Sequence, residues 1–194
     1  MGKAKKRTTT TIGVMILFAI IILTFYYYMV NRTEPLEDAS VENLSEQEKI
    51  LNIDLENYYP ETPREVTKLF ARIMKTLYSD DLKDDEVKPL ALKIRELYDE
   101  EFLQNNPEDT YLNSLYTDIA KWKEDKRRIT NYLLIKKDQE QKEEIDGVNY
   151  AVNYVSYTIQ ENIKFTETWK VLLRQDENSK WKILGWEFVP NEND

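Results

Sequence analysis

Residues 163–174 read IKFTETWKVLLR, and this stretch decides the fold class. Ile163, Phe165, Glu167, Trp169, Val171 and Leu173 fall on one face at a period of two. Lys164, Thr166, Thr168, Lys170, Leu172 and Arg174 fall on the other. A helical period of 3.6 would mix these sets, so the segment reads as a strand with one side turned to a core. Its neighbours keep the period. Ile129–Lys136 reads as a strand, Val148–Ile159 as a long one rich in Tyr and Val, and Lys180–Val189 as the last, after a turn at Asp176–Ser179. An acidic connection ending at Asp146-Gly147 joins the first to the second. Four consecutive strands with short connections predict an antiparallel meander, and Gly185 inside the last strand predicts a bulge or bend.

Upstream the period changes to that of helices. Thr62-Pro63-Arg64-Glu65 combines a cap, a first-turn proline and a capping-box glutamate. Val66, Leu69, Phe70, Ile73, Met74, Leu77 and Tyr78 then form one apolar stripe. A second helix follows the acidic cluster Asp80–Glu86 and runs on to bury Val87, Leu90, Ile94, Leu97, Tyr98 and Phe102. A third starts at Asn106-Pro107 and turns Leu112, Leu115, Tyr116, Ile119 and Trp122 inward. The predicted fold class is α+β: three helices packed on one face of a curved four-stranded antiparallel sheet, a domain over residues 60–190 with a tail at 191–194.

The beginning of the chain reads differently. Lys3, Lys5, Lys6 and Arg7 lie in a basic stretch over residues 1–11, and no acidic residue precedes Glu34. Ile12 to Val30 is almost wholly apolar. As a helix it would span about 28 Å, close to the thickness of a hydrocarbon core. Ile12, Phe18, Ile21 and Phe25 would face lipid, and Tyr26, Tyr27 and Tyr28 suit a membrane–water boundary. The expectation is an uncleaved signal-anchor at 12–31 in a single-pass protein of the cell membrane. The basic flank places the N-terminus in the cytoplasm and the C-terminal domain outside. Residues 32–59 hold eight acids against two basic groups and read as a charged spacer, with a short helix after Ser45-Glu46-Gln47-Glu48.

The order of three helices and four strands, closing in a turn and Lys180-Trp181-Lys182-Ile183, resembles the nuclear transport factor 2-like (cystatin-like) superfamily over residues 60–190. That resemblance implies a cone between sheet and helices, used by some members as an active site and filled in others that bind proteins. The layout of basic start, anchor and Tyr58-Tyr59-Pro60-Glu61-Thr62-Pro63-Arg64-Glu65-Val66 also resembles uncharacterised single-pass proteins of Gram-positive bacteria. That likeness implies a location and no activity.

The chain has no histidine and no cysteine, and its 36 acidic residues outnumber 27 basic ones. Imidazole bases, thiol nucleophiles, Cys/His metal sites and disulfides are thereby excluded. Four glycines leave no phosphate-cradling loop, and the acidic balance argues against nucleic acid as a partner. No catalytic residue, metal site or cofactor is expected. The residues singled out as ligand contacts are Glu167, on an otherwise apolar strand face, with Tyr150, Tyr154 and Trp169. The plainer reading of Glu167 is an acid near the strand edge, or one paired with a Lys or Arg from a neighbouring strand. Asp80, Asp81, Asp84 and Asp85 read as helix-capping acids rather than a calcium loop. The expected function is a non-enzymatic extracytoplasmic binding or interaction module with a protein partner or self-association. The alternatives are a small-ligand protein or enzyme using the cone, with Glu167 as base, and a structural part of an envelope, secretion or cell-division complex.

Overall fold

The computed structural model describes Thr24, residues 44–135 and residues 141–190. The chain divides into two units, 1–43 and 44–194. Apart from Thr24, the anchor proposed for residues 12–31 and its basic flank Lys3, Lys5, Lys6 and Arg7 lie outside the described residues. Among the described residues no helix is long and apolar enough to cross a membrane.

The second unit opens with α1 (Glu46–Leu51). Ser45 Oγ accepts the Glu48 N–H at 3.2 Å, and Glu48 Oε2 accepts the Ser45 N–H at 2.7 Å. The capping box read from sequence therefore forms. The residues after it belong to the domain, because Ile50 and Leu55 are buried in its core. Arg72 donates Nε to Glu46 Oε1 at 2.6 Å and holds the Glu46 carboxyl below its ordinary pKa.

Helix α2 (Pro63–Leu77) starts at the Thr62 cap as its sequence requires. Val66, Phe70, Ile73 and Leu77 are fully buried, each burial being worth about 1.5–3 kcal/mol. The helix lies over the sheet, and one polar tie fixes its position. Thr67 Oγ1 donates to Pro63 O at 2.8 Å and accepts Asn153 Nδ2 at 3.0 Å, both side chains being buried.

The long second helix expected from the sequence is two helices. α3 (Asp84–Arg95) ends before Leu97, and α4 (Glu100–Asn105) restarts at an Asp99 cap. Between them Tyr98 forms a parallel bridge to Ile183. A continuous helix cannot offer backbone groups to a strand, so the interruption is what attaches this layer to the sheet. Phe102 packs on the core as expected, but from α4. α5 (Glu108–Glu124) buries Leu112, Leu115 and Ile119, whereas Tyr116 is turned out to solvent.

Among the described residues the sheet has five strands, not four: β1 (Arg128–Leu134), β2 (Gln141–Ile145), β3 (Val148–Gln160), β4 (Lys164–Gln175) and β5 (Trp181–Val189). The order is β1-β3-β4-β5, all antiparallel, with β2 also paired to β3. β3 is long enough to carry both partners on one edge. Residues 148–152 pair with β2 and residues 155–160 with β1. In sequence the additional strand reads as an acidic connection, because Lys142, Glu143 and Glu144 are charged and leave no apolar alternation. Its hairpin is closed by Asp146 at φ 52° and Gly147 at φ 79°, the two left-handed positions of a tight turn. The bulge expected at Gly185 is present, where the β4–β5 register shifts between Leu172 and Leu173.

The inner sheet face carries Ala151, Val155, Tyr157, Ile159, Val171, Leu173 and Ile183, each at most 1% exposed. Among them only Tyr157 brings a polar atom, and its hydroxyl has no partner among the described residues. Burial drives its pKa well above the phenol value. An orphaned buried hydroxyl costs about 1–3 kcal/mol. Tyr157→Phe is therefore expected to raise the urea unfolding midpoint, by about 1 kcal/mol in stability; a lowered midpoint would show that the hydroxyl is satisfied in solution.

Candidate functional site

Glu167 sits on β4 opposite Tyr157, on the helix-facing side that its strand parity predicts. Its carboxylate is committed. Arg127, in the turn between α5 and β1, donates Nη2 to Glu167 Oε1 at 2.5 Å. The guanidinium also lies 4.3 Å from the Trp122 ring and 5.3 Å from the Phe165 ring, in cation–π contact with both. Trp169 Nε1 approaches Glu167 Oε2 at 3.4 Å, and the Trp169 ring meets Tyr157 at 5.0 Å. A general base must present an oxygen to substrate, whereas this one is occupied by a cation held between two aromatic rings. The residue acts as a clasp between the end of α5 and the sheet.

Tyr150 and Tyr154 alternate with the buried residues Ala151 and Asn153, so they lie on the opposite sheet face from Glu167 and Trp169. The four residues singled out from sequence do not form one site. Tyr150 instead stands across the β3–β4 pair from Arg174. Arg174 grips Asp99 with two nitrogens, Nε at 3.0 Å from Oδ2 and Nη2 at 2.5 Å from Oδ1, and sends Nη1 to Glu101 Oε2 at 3.1 Å. The bond to Asp99 raises the already high pKa of Arg174. Sequence reasoning missed Asp99, although an Asp followed by Glu100 and Glu101 is an ordinary helix-start signal.

The other charged motifs are likewise used within the domain. Asp80 pairs with Arg128, Asp84 with Lys123 at 3.0 Å, and the Glu86 carboxylate accepts the Lys83 N–H at 3.0 Å. Among the described residues no cluster of acids has the geometry to hold a metal ion. Trp186 packs against Phe70, Tyr98 and Phe102 with ring centres 5.1–5.6 Å apart, and Trp122 lies 4.4 Å from Tyr78. These rings pack against the core.

Clefts open on the outside of the domain. One of 520 Å³ lies between α1 and the start of α3, lined by Glu46, Glu48, Lys75, Asp81 and Lys83. One of 460 Å³ lies beside Tyr150, Arg174 and Lys182. A third, of 300 Å³, flanks the Gly185 bulge. None of the three includes Glu167. Near the second, Tyr59 donates its hydroxyl to Trp181 O at 2.8 Å while Lys182 lies 4.3 Å over its ring and donates Nζ to Glu96 O at 2.7 Å.

A family model described as a domain of unknown function (DUF6715) matches residues 1–186, and the chain belongs to that family. No curated protein matches it. Among solved structures it is similar to CagV, a VirB8 homolog of T4SS from Helicobacter pylori strain 26695, at 11% identity and a TM-score of 0.40, over 62% of this chain and 92% of that chain. So loose a superposition carries no argument about fold or role.

Two outcomes are expected from this geometry. Asp99→Ala leaves Arg174 without its partner and α4 without its cap, and should lower stability by about 3 kcal/mol. A loss under 1 kcal/mol in denaturant titration would mean that the Asp99–Arg174 pair is not structural. Burial lowers the Lys182 pKa from its ordinary 10.5. Between the lowered folded value and 10.5 the unfolded chain binds more protons, so this residue makes stability rise with pH there. Lys182→Met should flatten that rise, and an unchanged pH profile would reject the assignment.

Proposed function

We propose that the chain is a membrane-anchored, extracytoplasmic binding module of the cell envelope that works by contact rather than by catalysis. The observation that carries this reading is the state of the helix–sheet interior. It is filled by Tyr157, Trp169, Val171 and the α2 stripe, and its carboxylate, Glu167, is held by Arg127. An enzyme reading requires a solvent-connected cavity in which Glu167 and a tyrosine hydroxyl converge, and none of the three clefts is lined by Glu167. The location rests on the basic start and apolar stretch of residues 1–31.

The nuclear transport factor 2-like relationship is supported by the order of helices first and antiparallel strands after, with the last turn at Asp176–Ser179 closed by Ser179 N–H to Asp176 O at 2.9 Å. Within that frame the filled interior belongs with the members that bind proteins. A role in an envelope, secretion or cell-division assembly is a narrower form of the same reading, in which the apolar stretch of residues 12–30 also touches partners.

The test is protease treatment of intact cells expressing the full chain with a C-terminal tag. The tagged domain should be removed from outside while a cytoplasmic marker survives. Protection of the tag in cells whose other surface proteins are digested would overturn the proposed topology.

A further inference from the structure

The cleft of 520 Å³ between α1 and the start of α3 is built from polar groups. Ser45 and Gln47 come from the start of α1, Lys75 and Thr76 from the last turn of α2, and Ser79 and Asp81 from the turn that follows. Most charges around it are spent inside the domain. Glu46 holds Arg72, Glu48 closes the α1 capping box, and Glu86 accepts the Lys83 N–H and lies 3.7 Å from Lys83 Nζ. The hydroxyl hydrogens are spent too. Thr76 Oγ1 donates to Arg72 O at 3.0 Å and Ser79 Oγ to Thr76 O at 2.9 Å, so both are left only as acceptors.

Three side chains of the cleft remain unused. Lys75 and Asp81 form no ion pair or hydrogen bond among the described residues. Gln47 is the more telling one. It is only 8% exposed, yet its carboxamide has no hydrogen-bond partner among the described residues and is not sealed from solvent. Because Gln47 lines the cleft, that amide opens into it. A primary amide carries two donors and an acceptor oxygen, and one so deeply placed is ordinarily answered. The signs then specify what fits. A bare anion would meet the Asp81 carboxylate, and a bare cation the Lys75 ammonium. No aromatic ring lines the cleft among the described residues, so a sugar or nucleobase finds no stacking surface. A ligand carrying both charges answers both residues, and the volume lies within the range of about 300–1,000 Å³ usual for small-molecule sites.

We infer that this cleft binds a small zwitterion, an amino acid or a short peptide with both termini free. Lys75 pairs with its carboxylate, and Asp81 pairs with its ammonium, which the acceptor oxygens of Thr76 and Ser79 also receive. Gln47 bonds a carbonyl or carboxylate oxygen of the ligand. The site is separate from the helix–sheet interior around Glu167 and adds a small ligand to the contact role.

The experiment is a heteronuclear NMR titration of the full nitrogen-labelled chain in detergent micelles, following the side-chain amide signals of Gln47. The probes are glycine and glycylglycine, and the controls are their N-acetylated and C-amidated forms, each lacking one charge. At least one of the two zwitterions should shift the Gln47 signals to saturation. Its blocked forms should bind at least tenfold more weakly. Lys75→Met and Asp81→Asn should each weaken binding about tenfold or more, with the unfolding midpoint little changed. Equal binding of either blocked form, or full affinity in either variant, overturns the proposal. So does a titration in which the Gln47 signals do not move, or move without saturating. Should a variant fail to fold, the blocked probes decide on the unaltered chain. The titration is read in micelles and is independent of membrane sidedness, so its failure and that of the protease experiment are told apart.

Discussion

The pairing of Asp99 with Arg174 is the constraint on which the arrangement of helices and sheet depends. One buried carboxylate serves three purposes at once. It receives a two-pronged guanidinium from β4, accepts the Glu101 N–H at 3.0 Å to start α4, and belongs to the residue whose own N–H pairs with Ile183. Asp99 is 3% exposed, and a carboxylate so far from water persists only with its charge and lone pairs answered. Its surroundings answer them from two sides, Arg174 of the sheet and the first turn of α4. The carboxylate therefore fixes where α3 stops, where α4 begins and which strand lies beneath.

That tie sets the character of the two sheet ends. Near Ile183 the linker between α3 and α4 is joined to β5 by backbone bonds, and Trp181, Ile183 and Leu173 are sealed beneath. Toward Val189 the linker has turned away into α4, so Phe188 on the same face stays half exposed. The extra residue at the Gly185 bulge falls at this transition. A bulge adds local twist and lets a strand leave a covered region at a new angle. The backbone bonds of Leu97 and Asp99 both go to Ile183, which marks how far along β5 this pairing reaches.

Much of this fold is legible in the sequence wherever one face of an element is apolar. The α2 stripe and the alternation of β4 predict burial residue by residue, and the Ser45 and Thr62 caps fix two helix starts. Legibility fails where tertiary pairing, rather than amphipathicity, determines the element. β2 has no apolar face, and only its pairing with β3 and the Asp146-Gly147 turn make it a strand. The interruption at Glu96–Asp99 falls inside an unbroken apolar rhythm from Val87 to Phe102, and a periodic pattern contains no term for a backbone bridge to Ile183. For the candidate site, parity places Glu167 and Trp169 correctly and separates them from Tyr150 and Tyr154. It cannot name Arg127, which comes from a turn forty residues earlier.

The Arg127 position shows why the chain's charged residues read so poorly as chemistry. A guanidinium is a weakly hydrated flat cation, and stacking between Trp122 and Phe165 lets it be removed from water at modest cost. Once there, it needs a carboxylate, and the odd-numbered series of β4 supplies one in Glu167 at 2.5 Å. Glu167 in that series is thus required by Arg127, and Arg127 by the need to anchor the end of α5, where Lys126 already takes a left-handed φ of 54°. An acid on an apolar strand face can signal an active site or the second half of a buried ion pair. The deciding fact is whether a cation reaches it, and here one does. With that carboxylate occupied, the proposed contact role falls to the surfaces the domain does not use on itself.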